Sequence, residues 1–430
     1  MSPEALAFVI FTLGMLVLMG AGMNMALSLV LTGAGMAWAL DFWDTQLLAQ
    51  NLVAGVDSFP LLAVPFFILA GELMNSGGIS RRIIDMAQAW VGHISGGLGY
   101  VAIAAAVLMA SMSGSALADT AALATILLPM MRKQGYPLAT SAGLIASGGI
   151  IAPIIPPSMP FVIYGVTTNT SISLLFISGI VPGLIMGAGL IIVWRMQLGK
   201  ISLPAGVPLP LREKLRATVK AFWAMLMPII IIGGMKTGVF TPTEAAVVAA
   251  FYALVVALIV HHEMKITEIY EVLLRAAKTT AVVMFLCAGA QVASYMITLA
   301  DLPSVLTAWL GPLIDQPTIL MAAMMIALVL IGTALDLTPT ILIFAPVMLP
   351  IAVKAGIDPV YFGLMFVLNG AIGLITPPVG TVLNVVAGVG KMSLHDVIKG
   401  VNPFLLVYLV ILGLFVVFPQ IVLAPVAWMR

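Results

Sequence analysis

The sequence predicts an all-α integral membrane fold: an inverted repeat with two re-entrant helical hairpins and two broken transmembrane helices. Three observations predict it. The 430 residues are 62% hydrophobic and 8% charged, with a mean hydropathy of +1.18, whereas a soluble domain carries about 25% charged residues. A proline pair interrupts an apolar segment twice, at Pro156-Pro157 and at Pro377-Pro378. The two halves of the chain also align around those pairs at an offset of 221 residues.

Composition narrows the class further. The 40 glycines and 27 prolines would disrupt soluble helices, but membrane helices use small residues for close contact and tolerate proline. A formal net charge of +1 gives no argument for nucleic acid as a partner; the lipid bilayer is the partner that composition implies. The single cysteine, Cys287, excludes intrachain disulfides and thiolate metal clusters. The N-terminus has no early Lys or Arg and no small-residue cleavage site, so it reads as a retained first helix rather than a signal peptide.

Apolar runs of spanning length lie near 3–21, 23–40, 59–77, 172–195, 219–236, 242–261, 279–298 and 401–427. Regions 97–131, 137–169 and 317–390 are apolar but punctuated. Segments 79–92 and 266–278 alternate apolar and charged residues at helical spacing, which suits helices at the membrane interface. The stretch 199–216, with Lys200, Pro204, Pro208, Pro210, Arg212, Lys214 and Arg216, is the most polar connector. It divides the chain into a first repeat over 1–200, a cytoplasmic connector over 201–218 and a second repeat over 219–430.

The repeat is concrete. At the 221 offset Leu128-Pro129 matches Leu349-Pro350, Lys133 and Gly135 match Lys354 and Gly356, and Pro156-Pro157 matches Pro377-Pro378. Trp90 and Gly92 pair with Trp309 and Gly311 at nearly the same shift. Single glycines would coincide by chance in such a sequence; a double proline together with a Leu-Pro and a spaced Lys and Gly implies duplication. Charge then gives orientation. With the connector cytoplasmic, only Lys236, Lys354 and Arg430 of the 18 Lys and Arg fall on the outer side. That requires 97–131 and 317–352 to enter and leave on one side each, as hairpins, followed by broken helices over 137–169 and 359–390. Lys133 and Lys354 then end on opposite faces, so the repeat is inverted.

These breaks are where chemistry is expected. Proline removes an N–H and clashes with the preceding turn. The freed carbonyls survive at membrane depth only when buried in protein or lining a cavity, and a matched pair of interrupted helices points to a transporter's substrate and ion site. The first hairpin turns at Ser111-Met112-Ser113-Gly114-Ser115, followed by Asp119 and Thr120. Hydroxyl and free carbonyl oxygens suit a hard cation such as Na⁺, and hydroxyls also donate to a carboxylate. The second turns at Gly332-Thr333-Ala334-Leu335-Asp336-Leu337-Thr338, where Thr338 or Asp336 could cap the returning helix. Half-helix N-termini meeting one cavity favour an anion, and the facing C-termini offer carbonyls to a cation. Thr376, Thr381 and Asn384 fit the same cavity as the second break.

Plainer readings stand beside these. A serine in a membrane helix usually bonds its own preceding turn or serves packing. Asp119 and Asp336 are costly inside a membrane and functional by default, yet either could be a helix cap or a structural acceptor rather than a cation ligand. Glu244 reads as the second half of a capping box with Thr241, and Glu72 as a half-buried partner for a basic residue. His261-His262-Glu263 lacks the further histidine of a metal motif and reads as interface residues. No intramembrane protease arrangement, nucleotide-binding glycine loop or catalytic triad is present, so the chain reads as a transporter and not an enzyme.

At these residues the chain resembles the large membrane subunit of a tripartite ATP-independent periplasmic (TRAP) transporter. The resemblance covers essentially the whole chain. It is carried by Ser113-Gly114-Ser115 with Ala118-Asp119, by Ile155-Pro156-Pro157-Ser158, by Thr241-Pro242-Thr243-Glu244-Ala245-Ala246, by Gly332-Thr333 with Asp336, and by Thr376-Pro377-Pro378-Val379-Gly380. It implies a multi-pass protein of the bacterial inner membrane that imports an organic acid with Na⁺ as coupling ion, working by an elevator motion. It also implies two partners, a separate small four-helix membrane subunit and a periplasmic substrate-binding protein. Residue by residue, it implies one sodium site at Ser113, Gly114, Ser115 and the Pro156-Pro157 break, and another at Gly332, Thr333, Thr376 and Pro377, largely through backbone carbonyls. Substrate would lie between them, near Ser115, Asp119, Ser158, Asp336, Thr338, Thr381 and Asn384. A stand-alone sodium–anion symporter or antiporter of the same architecture is the alternative; a membrane enzyme or a channel ranks lower still.

Overall fold

The computed structural model describes residues 3–199, 206–333 and 335–427. Lys200 and Pro204 of the connector, Ala334 at the second hairpin turn, Arg430 and the Trp309 side chain lie outside the described residues. The described residues form helices and their connections, with no strand among them. Among the described residues, seven helices are long and apolar enough to cross a membrane.

Both punctuated regions of the first half resolve as expected. Gly97–Ser113 and Ala116–Lys133 form the first hairpin, and Leu138–Gly149 and Met159–Thr168 are the two halves of the first broken helix. In the second half Pro317–Gly332 and Leu337–Lys354 form the hairpin, and Pro359–Gly373 and Thr381–Gly390 form the broken helix. The peptide bonds within both proline pairs are cis.

Three expectations need correction. The connector expected over 201–218 ends at Pro210, because Leu211–Lys236 is one helix; its first turns are good helix formers but too charged to register as a span. Residues 266–278 are not a separate interfacial helix. A short turn at Ile266–Glu268 runs into Ile269–Leu299, one helix of 31 residues. The final span expected over 401–427 divides into Leu394–Val417 and Gln420–Ala427, since Pro419 cannot donate to the helix that precedes it.

The packing repeats between the halves with partners exchanged. Helix Met25–Ala39 packs on Ile269–Leu299, and Pro242–Val255 packs on Ala63–Ser76. Each hairpin's returning arm packs on the far half of the other repeat's broken helix: Ala116–Lys133 on Thr381–Gly390, and Leu337–Lys354 on Met159–Thr168. The near halves are held from outside by Leu394–Val417 on Leu138–Gly149 and by Ile172–Leu198 on Pro359–Gly373. The hairpins and broken helices thus form one interlocked body, flanked by the remaining spanning helices.

Small residues set the close crossings. A Cβ at Gly143 would strike the backbone of Gly400, and one at Gly400 would strike Ala139. In lipid, where association depends on packing rather than on expelling water, such contact is what holds two helices together. Gly143→Leu is therefore expected to destabilise the protein by about 1–3 kcal/mol or more, as overpacking does. The measurement is the thermal midpoint in detergent, and an unchanged midpoint would refute the crossing.

The local expectations at the surface hold. Thr241 N donates to Glu244 Oε2 at 2.8 Å and Glu244 N donates to Thr241 Oγ1 at 3.3 Å, which completes the capping box. Glu72 pairs with Arg275 at 3.0 Å. Glu263 pairs with Arg82 at 2.7 Å, an interfacial contact of the kind expected for the His261-His262-Glu263 run.

Candidate functional site

A cleft of about 90 Å³ lies where the hairpins meet the breaks. Ser115 and Ala116 of the first turn, Pro153 and Met159 of the first break, and Asp336 and Thr338 of the second turn line it, with Leu374 of the second break and Val283 of the long helix Ile269–Leu299. Three helices begin at this cleft, at Ala116, Met159 and Leu337. Each N-terminus presents backbone N–H groups with no partner inside its own helix, and the positive end of its dipole. Their convergence makes the cleft attractive to an anion.

The first turn closes because Gly114 adopts φ +62°, a conformation that costs little only without a Cβ. A Cβ there would also lie 2.5 Å from the Pro157 carbonyl oxygen and 3.1 Å from Ser158 Cα, so the hairpin tip sits directly on the first break. Ser115 caps the returning helix by accepting from Ala118 N at 3.3 Å, and its own N–H donates to Ser113 Oγ at 3.2 Å. Ser113 Oγ in turn donates to Asp119 Oδ1 at 2.5 Å. Ser111 Oγ bonds back to the Leu108 carbonyl at 2.6 Å, the ordinary role of a helical serine.

Asp119 is not the cap of its helix, because Ser115 fills that position. Its side chain is 1% exposed, and Oδ2 has no hydrogen-bond partner among the described residues. An ionised carboxylate so placed costs several kcal/mol unless something of opposite charge joins it. The neighbouring Thr120 Oγ1 is likewise buried without a partner and abuts Gly149.

At the second site Gly332 and Gly373 touch, with a Cβ on Gly373 lying 2.9 Å from the Gly332 carbonyl oxygen. Val379 N donates to the Thr333 carbonyl at 3.4 Å. The tip and the break are therefore joined here too, through Thr333 on one side and the segment after Thr376, Pro377 and Pro378 on the other. Thr333 Oγ1 and Thr376 Oγ1 bond back to Leu330 and Ile372 at 2.7 and 2.8 Å, which uses their hydrogens and leaves their oxygen lone pairs able to accept. Asp336 occupies the cap position of Leu337–Lys354 without a side-chain cap bond. Instead it accepts from Thr381 Oγ1 at 3.5 Å, linking the second turn to the half-helix beyond the break.

The structure brings Ser115, Asp336 and Thr338 to the cleft and leaves the other expected substrate residues around it. Ser158 is fully buried and its hydroxyl is committed: it donates to the Pro153 carbonyl at 2.5 Å and accepts from Phe161 N at 3.3 Å. It caps the second half of the broken helix and satisfies one carbonyl freed by the prolines. Asn384 is exposed and donates to the Val379 carbonyl at 2.9 Å. Asp119 stands one turn behind Ser115, touching the cleft only through the serines. Pro153, Met159, Val283 and Leu374 line the cleft without having been singled out. Pro153 lies within the broken helix expected over 137–169, but nothing local distinguishes Val283 from other apolar residues. Asn369, fully buried, was also missed; its Nδ2 donates to the Met325 carbonyl at 2.7 Å and ties the second broken helix to its hairpin.

Among the described residues no three His, Cys, Asp or Glu side chains gather as a metal cluster.

The sequence profile described as "Tripartite ATP-independent periplasmic transporter, DctM component" matches residues 12–421. The 2,3-diketo-L-gulonate TRAP transporter large permease protein YiaN of Escherichia coli (strain K12) is 52% identical over 409 residues, covering 95% of this chain and 96% of its own. The C4-dicarboxylate TRAP transporter large permease protein DctM of Pseudomonas aeruginosa is 41% identical over 382 residues, covering 89% and 90%. In fold alone, the chain is similar to the YdaH transporter of Alcanivorax borkumensis, whose crystal structure has a TM-score of 0.61 over 88% of this chain and 90% of that one, at 17% identity.

Proposed function

Since this chain belongs to the family of DctM components of tripartite ATP-independent periplasmic transporters, we propose that it is the large membrane subunit through which a sodium gradient drives import of an organic acid. It is a multi-pass protein of the bacterial inner membrane and a transporter permease rather than an enzyme. The observation that carries the proposal is the cleft at which three helix N-termini converge between two hairpin turns. That arrangement suits a carboxylate. The named relatives take 2,3-diketo-L-gulonate and C4-dicarboxylates, which are both organic acids.

Coupling follows from charge. Asp336 lines the cleft and repels an arriving carboxylate until a cation joins it. The buried Asp119 lacks a partner for Oδ2, so a cation at the first turn relieves it as well. Sodium bound at Ser113, Gly114, Ser115 and Pro157, and at Gly332, Thr333 and Thr376, would raise affinity for the anion. By linkage, the anion would raise affinity for sodium equally.

Access needs movement. Ligand pockets are typically about 300–1,000 Å³, whereas the cleft is about 90 Å³, so an organic acid enters only when its walls part. Val283 comes from the flanking long helix, and the other named lining residues from the interlocked hairpins and breaks. Sliding of that body against the flanking helices, an elevator motion, would open the cleft to one side and then the other. The proposed partners are a small four-helix membrane subunit and a periplasmic substrate-binding protein that delivers the acid.

The test is uptake into proteoliposomes holding the chain and its small subunit. Uptake is expected only with binding protein and an inward sodium gradient. Uptake that persists without sodium would end the coupling proposal, and uptake by the chain alone would establish a stand-alone symporter.

A further inference from the structure

The repeat places a short helix ahead of each hairpin, Ile79–Val91 in the first half and Leu302–Leu310 in the second. The first packs on Leu211–Lys236 and the second on Pro3–Gly20. The cavities beside these two helices are opposite in character. Beside the second, about 340 Å³ is walled by apolar residues such as Phe8, Leu302 and Phe344, with Glu4 the charged residue. Beside the first, about 530 Å³ is lined by Arg81, Arg82, Lys220 and His261 with Asp85 and Glu263, and by the apolar Val219, Trp223 and Val260. An adjoining cavity of about 320 Å³ adds Arg216 and Glu213 and shares Arg82, Lys220 and Asp85.

Across the two cavities four cations, Arg81, Arg82, Arg216 and Lys220, face three carboxylates, Asp85, Glu213 and Glu263, so the lining keeps a positive excess. The two packed segments 79–91 and 211–223 carry Arg81, Arg82, Arg212, Lys214, Arg216 and Lys220 against Asp85 and Glu213. Glu263 also lines the cleft, but it is taken by Arg82 at 2.7 Å. Arg81, Arg216 and Lys220 form no ion pair among the described residues. Burial, and next the nearby Arg82, push the His261 imidazole below its ordinary range, so the positive charge comes from the arginines and Lys220. Trp90 and Trp223 are partly exposed, and tryptophans favour the level of the lipid headgroups. The bias of Lys and Arg toward one membrane side explains the sign of this excess; it does not explain a cavity that gathers cations together with apolar residues.

We infer that the cleft between Ile79–Val91 and Leu211–Lys236 binds the phosphodiester headgroup of an anionic phospholipid, held by Arg81, Arg216 and Lys220, with an acyl chain along Val219, Trp223 and Val260. Basic pockets between membrane helices recognise such headgroups. The bound lipid fixes the amphipathic helix at the membrane surface, where it joins a spanning helix to the first hairpin. The apolar cavity beside Leu302–Leu310 lacks the cations to do the same.

Native mass spectrometry of the purified full chain, offered equal phosphatidylglycerol and phosphatidylcholine, tests this. The expected result is retention of phosphatidylglycerol at least tenfold over phosphatidylcholine. In the double variant Arg81→Gln, Lys220→Gln, that preference falls to within about twofold of equal retention, since each surface cation contributes about fivefold. Lys354→Gln should leave it unchanged. Equal retention of the two lipids, an unaffected double variant, or displacement of lipid by millimolar inorganic phosphate would overturn the inference. Should the double variant not fold, vesicles containing photoactivatable phosphatidylglycerol provide the check on the native sequence. Labelling within 79–91 and 211–223 supports the site, and labelling confined elsewhere refutes it.

Discussion

Gly114→Ala is expected to abolish uptake while leaving the protein inserted in the membrane. Two costs combine at this position. The residue sits at φ +62°, where an L side chain costs about 1–2 kcal/mol. Its Cβ would also lie 2.5 Å from the Pro157 carbonyl oxygen, so the hairpin tip or the break must shift, at about 1–3 kcal/mol for overpacking. The shift falls where the proposed ion ligands and the start of the Ala116 helix are positioned, and a displacement there affects transport more than folding. Gly135→Ala supplies the control. It has φ +76° with open space around it, so it carries strain without collision and should transport nearly as the native chain does. The measurement is initial uptake in proteoliposomes at matched protein amounts. Native-level uptake by Gly114→Ala would mean that the tip does not depend on its seat at Pro157.

Asp119→Asn should raise the sodium concentration for half-maximal uptake by roughly 10- to 100-fold. That range corresponds to losing one charge-assisted interaction of about 1.5–3 kcal/mol. The shape of the site is kept, since an amide oxygen can still accept from Ser113 Oγ, which now donates at 2.5 Å. What disappears is the charge behind Oδ2, the buried oxygen without a partner. Sodium titration of uptake at saturating acid separates this effect from loss of substrate binding. If half-saturation stays constant while the thermal midpoint drops, Asp119 is a structural acceptor and the cation lies elsewhere.

The legible parts of this molecule were those set by local chemistry. The double prolines had to break helices, and both breaks lie at residues the sequence marks, Pro156-Pro157 and Pro377-Pro378. Thr241 and Glu244 had the spacing of a capping box and form one. Errors arose where hydrophobicity was taken as the boundary of a helix. The charged turns from Leu211 onward belong to the following span, and Ile266–Lys278 continues into the long helix. Ser158 illustrates a different limit. As a residue type it suited a ligand, but only the folded break shows that Pro153 O and Phe161 N already occupy its hydroxyl.

By itself the sequence determined the membrane class, the duplicated hairpin-and-break plan and the turns where oxygen donors gather, because composition, proline chemistry and the 221-residue offset are properties of the chain. Tertiary structure alone decided which residues meet. It exchanged the hairpin arms between the repeats, set Gly114 on Pro157, brought Asp336 within reach of Thr381 and placed Val283 in the wall of the cleft. The reason is physical: helix breaks and caps are fixed by neighbours in sequence, whereas a site built across two repeats depends on helix packing that no local pattern encodes.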